Sequence, residues 1–282
     1  MSLYHKNTSV ALEDIPLGKK STYVSQYSPD LLFSIPRELK RELIGVSSPL
    51  PFKGCDIWNA FELSWLNARG RPIVALGEFL FPCESPNIIE SKSLKLYLNS
   101  FNNTKFDSLN KVQETIKRDL SVALNYPVKI KIISTTDFRV REKSVFSGIC
   151  IDDFDVACNV YTVEPKFLHI SNKKIVSEIL YSELLKSNCP VTGQPDWGSV
   201  QISYTGQQID HQGLLKYIIS FRNHDEFHEQ CVERMFVDIM QKCSPEKLTI
   251  YARYVRRGGL DINPYRSTEG GGVPKNVCLV RQ

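Results

Sequence analysis

Apolar positions along this chain fall into an order of elements that occurs twice. Phe61–Leu66 and Ile73–Phe81 are β-rich apolar runs flanking Asn67-Ala68-Arg69-Gly70, a turn signal, so the segment from Phe61 to Phe81 reads as a hairpin. A loop with Pro82 and Pro86 follows. Ser93–Phe101 and Lys111–Leu124 then read as helices, the second with Val112, Ile116, Leu120 and Leu124 four residues apart. Val128–Ile133 alternates as a strand. In the second half, Ile175–Leu185 fits either strand or helix. A loop with Cys189, Pro190 and Pro195 comes next, then a strand at Val200–Tyr204. Leu214–Phe221 and Val232–Met240 read as helices and Leu248–Val255 as a strand. The tail after Arg266, with Gly270-Gly271-Gly272, is expected to be mobile.

The two halves align directly over one stretch. Ile89–Phe101 lies on Ile209–Phe221 without a gap, with identities at Ile89/Ile209, Leu94/Leu214, Tyr97/Tyr217, Ser100/Ser220 and Phe101/Phe221. A diverged duplication accounts for this run, although shared helical periodicity contributes. The copies differ where chemistry is expected. Glu90-Ser91-Lys92 faces Asp210-His211-Gln212, and only the second copy has His228-Glu229 and a cysteine in its inter-strand loop. The asymmetry suggests that each copy carries part of one site.

Bulk properties narrow the class. The chain has 282 residues, 42% hydrophobic and 23% charged, enough for a full core without disulfides or a structural metal. A net charge of +4 is too mild for a dedicated nucleic-acid binder and suits small anions such as a phosphorylated cofactor. Met1–Ala11 lacks the apolar core of a secretory signal, and no apolar run could span a bilayer, so a cytoplasmic location is expected. The eight cysteines form no C-x-x-C pair, which favours thiols over disulfides and disfavours a zinc ribbon.

Several residues could carry chemistry. Cys189 precedes Pro190, which blocks a regular ladder or helix and places the thiol on a loop. A buried structural thiol is the more common role of a lone cysteine. Asp196, in Gln194-Pro195-Asp196-Trp197-Gly198, could be desolvated by the tryptophan and held protonated as a proton donor. The same residues read as a turn with an Asx role. His228-Glu229 opens a helix, where a glutamate favours the first turn; His228 with Cys231 is an incomplete metal pair. Glu90-Ser91-Lys92 reads as a helix start. Arg256-Arg257-Gly258-Gly259 follows a strand and suits a phosphate, through planar donors and close backbone approach. No G-x-G-x-x-G or Walker pattern follows a strand, which disfavours Rossmann and P-loop folds.

Taken together, Glu90-Ser91-Lys92-Ser93-Leu94-Lys95, Ser187-Asn188-Cys189-Pro190, Gln194-Pro195-Asp196-Trp197-Gly198, Phe227-His228-Glu229-Gln230-Cys231 and Arg256-Arg257-Gly258-Gly259-Leu260-Asp261-Ile262-Asn263-Pro264 resemble the NADPH-dependent 7-cyano-7-deazaguanine reductases of queuosine biosynthesis, in their long two-half form. The resemblance runs from about Gly18 to Arg266 and returns in Leu279–Gln282. It implies an α+β fold of tandem tunnelling-fold halves, each an antiparallel sheet with two helices on one face. The halves would span 18–145 and 146–266, with a tail over 267–282, and Ile175–Leu185 would be a strand. It implies a homodimer, no metal and no direct nucleic-acid contact. It also implies reduction of a nitrile to a primary amine with NADPH in tRNA modification. Cys189 would then be the nucleophile forming a thioimidate and Asp196 the proton donor. Ile89, Glu90, Ser91, His228 and Glu229 would bind the substrate, and Ser91, Lys92, Arg257 and Gly258 the cofactor. Two alternatives stand beside it: a zinc hydrolase of the same fold, and a purine- or pterin-binding module in which Cys189 is incidental.

Overall fold

The computed structural model describes residues 23–135, 143–270 and 272–282. In chain order the strands are β1 (Ser34–Pro36), β2 (Lys53–Leu66), β3 (Pro72–Pro82), β4 (Asn87–Ile89), β5 (Lys129–Ser134), β6 (Lys143–Ser144), β7 (Ile149–Cys150), β8 (Ile170–Ser182), β9 (Lys186–Asn188), β10 (Pro195–Ile209), β11 (Lys247–Tyr254), β12 (Leu260–Ser267) and β13 (Cys278–Leu279). The helices are α1 (Glu38–Arg41), α2 (Ser91–Asn99), α3 (Leu109–Leu124), α4 (His211–Ser220) and α5 (His228–Cys243). The fold is α+β with mainly antiparallel pairing; β7 with β8 and β13 with β6 are parallel. Ile175–Leu185, ambiguous by pattern, is largely strand β8. No helix among the described residues is long and apolar enough to cross a membrane.

The chain divides into two compact units. The first comprises Met1–Lys40, Ile57–Val140 and Arg256–Asp261, the second Arg41–Asp56, Arg141–Val255 and Ile262–Gln282. Arg41–Asp56 falls with the second unit and Arg256–Asp261 with the first.

In the first unit the strand order is β5-β3-β2. The four-residue spacing of α3 works as read: Val112, Ile116, Leu120 and Leu124 are all fully buried. Ser108 caps the start of α3 by accepting from the Lys111 N–H, and Asn125 ends it in the left-handed conformation at φ 52°. In the second unit the order is β12-β11-β10-β8-β7, with β9 on the end of β10. Val200, Ile202 and Tyr204 on β10 alternate into the core. Ser244 closes α5 at φ 45°, as Asn125 closes α3.

The repeat recurs in the hydrogen bonds of each unit. Glu90 and Asp210 cap α2 and α4. The Tyr97 hydroxyl donates to Asp119 at 2.7 Å, and the Tyr217 hydroxyl donates to Asp238 at 2.6 Å. Ser100 and Ser220 each donate to the carbonyl three residues back at 2.6 Å. The second unit holds a buried charge cluster. Arg266 lies 2.8 Å from both Asp56 and Glu233, Arg41 lies 2.7 Å from Glu233, and Phe52 sits under both guanidinium groups.

One expectation about the chain's end is corrected. Cys278–Leu279 pairs with β6, and Gln282 is buried. The Gln282 amide donates to the Tyr254 carbonyl at 3.0 Å and to Asn263 at 2.9 Å, and it accepts from Arg253 at 2.9 Å. The buried Arg253 guanidinium needs acceptors, and Gln282 and Asn276 supply them. That need fixes a segment whose glycines suggested mobility.

Candidate active site

Cys189 stands at the tip of the hairpin formed by β9 and β10. Its N–H donates to the Gln194 carbonyl at 2.8 Å, and its carbonyl accepts from Gly193 at 3.0 Å. Gly193 turns the loop with φ +65°, a conformation that costs a side-chain-bearing residue more. The ladder places Ser187 opposite Asp196 and Asn188 opposite Pro195. Side chains alternate along a strand, so Ser187, Cys189 and Asp196 share one face. Cys189 and Asp196 are diagonal neighbours, which strand geometry sets about 7–8 Å apart at the backbone. Cys189 is 3% exposed and Asp196 6%.

Two details differ from the sequence reading. Pro195-Asp196-Trp197-Gly198 is the start of β10 and not a turn. Nor does Trp197 desolvate Asp196. Alternation sends Trp197 to the opposite face, where it is 41% exposed with the Arg222 guanidinium over its ring. The surroundings of Asp196 come instead from residues distant in sequence. His228 Nε2, at the first position of α5, lies 3.7 Å from Asp196 Oδ1. The Tyr254 ring meets the His228 ring edge-on with centroids 4.1 Å apart.

Behind Asp196 lies a polar floor that the sequence did not disclose. Ser187, Cys231 and Tyr254 are fully buried. The Ser187 and Tyr254 hydroxyls flank the Cys231 thiol, yet neither completes a hydrogen bond of normal geometry. Burial pushes the Cys231 thiol up, and the Glu226 carboxylate adds to this. Burial, with Cys231 and Asp196 nearby, likewise keeps the Tyr254 hydroxyl protonated. Asp196 therefore faces neutral donors. A sequence signal existed for both hydroxyls: Ser187 is in phase with Cys189, and Tyr254 is in phase with the buried residues of β11.

Glu229 occupies the first turn of α5 and is 3% exposed. In the first unit, Glu90 is buried and not a solvated helix-start charge. Its two oxygens accept from the Lys92 and Ser93 N–H groups, each at 2.7 Å, which fixes the start of α2. Burial raises its pKa, against the opposing effect of those bonds. A carboxylate that accepts two bonds retains lone pairs for further donors. Ile89 is buried at the end of β4 and Ser91 opens α2.

Arg257 and Leu260 exchange backbone hydrogen bonds at 2.8 and 3.3 Å around Gly258 and Gly259, with φ of +61° and +77°. This is a two-residue turn that requires positive φ at both centres. A methyl group on Gly258 would fall 2.8 Å from Lys95 Nζ, so the turn lies against α2, the helix that also carries Lys92. Lys95 lies 3.9 Å from Glu62. The cationic side chains of Lys92 and Arg257 and the bare Gly258 backbone fit an anionic, phosphate-bearing cofactor. Among the described residues no cluster of three or more His, Cys, Asp or Glu side chains is arranged to hold a metal.

Comparison with known proteins agrees along the chain. A family profile described as "Nitrile reductase, 7-cyano-7-deazaguanine-reductase N-term" matches residues 23–132, and one described as "QueF-like protein" matches residues 195–271. A Burkholderia multivorans protein named NADPH-dependent 7-cyano-7-deazaguanine reductase is 56% identical over 271 residues, covering 96% of this chain and 99% of its own. A protein of the same name from Burkholderia thailandensis is 55% identical over the same shares. A crystal structure of an archaeosine synthase, QueF-like in the apo form, aligns over 36% of this chain and 96% of its own at 19% identity, with a TM-score of 0.30. By its identity to these relatives over nearly its whole length, the chain belongs to the family of NADPH-dependent 7-cyano-7-deazaguanine reductases.

Proposed function

We propose that this protein reduces the nitrile of 7-cyano-7-deazaguanine to 7-aminomethyl-7-deazaguanine, on the route to queuosine in tRNA, through a thioimidate on Cys189. The observation that carries the reading is the β9–β10 register, which sets Cys189 and Asp196 on one buried face beside His228.

A nitrile carbon is a modest electrophile, and a thiolate can add to it. The Cys189 sulfur forms the new C–S bond, one C–N π bond breaks, and the nitrogen takes a proton from Asp196. The neutral Tyr254 and Ser187 hydroxyls lie on the same buried side as Asp196 and do not compete for that proton. The complete change adds four electrons and four protons to the nitrile and returns the thiol. NADPH, when bound, would supply the four electrons and two of the four hydrogens as two hydrides, and the other two protons would come through Asp196 and from solvent. Ser91, Lys92, Arg257 and Gly258 would hold NADPH, the two cations addressing its phosphates. Glu229 and Glu90 are each read as acceptors for N–H donors of the guanine-like ring, and Ile89, Ser91 and His228 as further substrate-binding residues.

The two compact units are read as the two halves of a tandem tunnelling fold, divided by sequence near residue 145. The working protein is read as a cytoplasmic homodimer.

Incubating the protein with the nitrile and no NADPH tests the reading. The expected result is an intact-mass increase equal to the substrate, absent in Cys189→Ala. Asp196→Asn is expected to bind substrate and to form product at least about 100-fold more slowly, the scale of one lost acid–base group. An unmodified wild-type mass under saturating nitrile would remove the covalent step, and wild-type turnover in Asp196→Asn would remove the proton donor.

A further inference from the structure

The loop that joins β2 to β3 in the first unit is built like the Cys189 loop of the second. The Asn67 N–H donates to the Arg71 carbonyl at 2.9 Å, and Gly70 donates to the Asn67 carbonyl at 2.9 Å. Gly70 has φ +83°, in the same region as Gly193. The residue before each loop is bridged alike. Leu66 donates to Thr104 at 2.9 Å and accepts from Phe106 at 2.8 Å; Asn188 donates to His224 at 2.8 Å and accepts from Glu226 at 3.1 Å. Asn67 therefore stands where the second unit has Cys189, and Ile73, two residues after the loop closes, stands where it has Asp196.

Nucleophile and acid are both missing from this copy. The Asn67 side chain instead accepts from the Arg69 and Arg71 N–H groups at 3.0 and 2.9 Å. The space beside it is nonetheless open. A cavity of about 230 Å³ lies against Asn67 and Ile73, with Trp65, Phe106 and Leu109 among its apolar walls and Asp107 among its polar ones. That is below the roughly 300 Å³ low end for drug-sized ligands, enough for a fused bicyclic base and not for a nucleotide.

We propose that this cavity is a second, reversible binding site for planar deazapurines of the same class as the substrate, holding them without reaction. The proposal rests on the substrate reading above. Aromatic and aliphatic walls take the faces of a flat ring. Asp107 is exposed and makes no hydrogen bond or ion pair among the described residues, so its carboxylate is available to the N–H donors of a guanine-like edge. Ser108 is already engaged as the cap of α3.

Equilibrium dialysis of the full-length protein with 7-cyano-7-deazaguanine, without NADPH, tests this. Two equivalents per chain are expected: one covalent, surviving denaturation, and one removed by washing. Asp107→Ala and Val74→Arg should each weaken the washable equivalent at least tenfold and leave the covalent one intact. Val74 lines the cavity and is 57% exposed, so its replacement does not threaten folding. A wild-type chain that takes up one equivalent only, or a second equivalent unaffected by both substitutions, would overturn the proposal. A washable equivalent sensitive to Asp107→Ala, with no covalent one, would keep this site and remove the Cys189 chemistry instead.

Discussion

The Asn67 loop and the Cys189 loop share a backbone plan and almost nothing else. Each leaves a strand, closes with a bond back to its first residue, and turns at a glycine of positive φ. The side chains diverge at the three positions that would face a substrate. Trp65, Asn67 and Ile73 in one unit stand for Ser187, Cys189 and Asp196 in the other. Trp65 fills with carbon a position that Ser187 leaves polar, and both are buried. The pairing separates what the loop needs to fold from what it needs to react. The main-chain bonds and the glycine are common property, and the thiol, carboxyl and buried hydroxyl belong to one copy.

The same comparison applies to the helices, and its sharpest break is at Glu233. Counting from the helix starts, Glu233 of α5 corresponds to Glu114 of α3. Glu233 is buried between Arg41 and Arg266, while Glu114 is exposed. Glu233→Ala would remove the carboxylate that two buried guanidinium groups share, although Arg266 keeps Asp56, and breaking a buried pair in this way costs about 3–5 kcal/mol. Glu114→Ala should stay within about 0.5 kcal/mol. Urea denaturation of both variants decides this. A similar loss in both would mean that the buried cluster adds nothing beyond helix propensity. α5 also carries His228 and Glu229 in its first turn, so Glu233→Ala should weaken substrate binding as well as stability.

Much of this pairing was legible in the sequence, and the parts that were not have a common cause. The Ile89–Phe101 match works because α2 and α4 keep one offset of 120 residues, with caps, tyrosines and serines in place. The offset falls by one before α3 and α5, and it rises by two to three at the hairpin loops, where the Cys189 loop is one residue longer. Asn67 therefore never aligns with Cys189 by counting, and only the hydrogen bonds reveal the equivalence. The polar floor was hidden for a different reason. Ser187, Cys231 and Tyr254 come from a strand, a helix and another strand, and no local pattern links them. The turn read at Pro195–Gly198 failed because tertiary pairing with β9 overrides the preference of Pro, Asp and Gly for turns.

A smaller break in the comparison comes from the paired tyrosines. Asp119 accepts from Tyr97 and Tyr27 and is bonded to Arg118, whereas Tyr217 is the hydroxyl donor to Asp238. Tyr217→Phe should cost about 1–3 kcal/mol, and Tyr97→Phe about half as much, because Asp119 keeps its other donors. Acidity adds a second readout. Burial raises the Asp238 carboxyl above its ordinary range, with the Tyr217 bond acting against that. A carboxyl with a raised folded-state pKa binds its proton more tightly in the folded protein. Its stabilising share is full below the unfolded-state pKa and is lost as pH rises through the folded one. Removing the Tyr217 donor raises that pKa further. The penalty of Tyr217→Phe should therefore grow from acidic to neutral pH, and a penalty that is flat with pH would mean Asp238 finds another donor.

The smallest effect, and the most direct comparison of the loops, is at their glycines. A methyl group built on Gly193 meets nothing within 4 Å, and one on Gly70 meets only the Lys105 side chain at 3.9 Å. Space is available at both, so only backbone conformation opposes Gly→Ala. The left-handed region costs an L-residue about 1–2 kcal/mol, and the two substitutions should lower Tm by similar amounts of a few degrees. Asparagine tolerates this region better and should recover part of the loss at either position. The variants should separate in chemistry. Gly193 closes the turn on the Cys189 carbonyl, so an alanine there that shifts the loop also shifts the thiol. Adduct formation with the nitrile should slow in Gly193→Ala and stay at the wild-type rate in Gly70→Ala. Equal adduct rates in both, at equal loss of Tm, would mean that the thiol is positioned by the buried face beneath it and not by the loop.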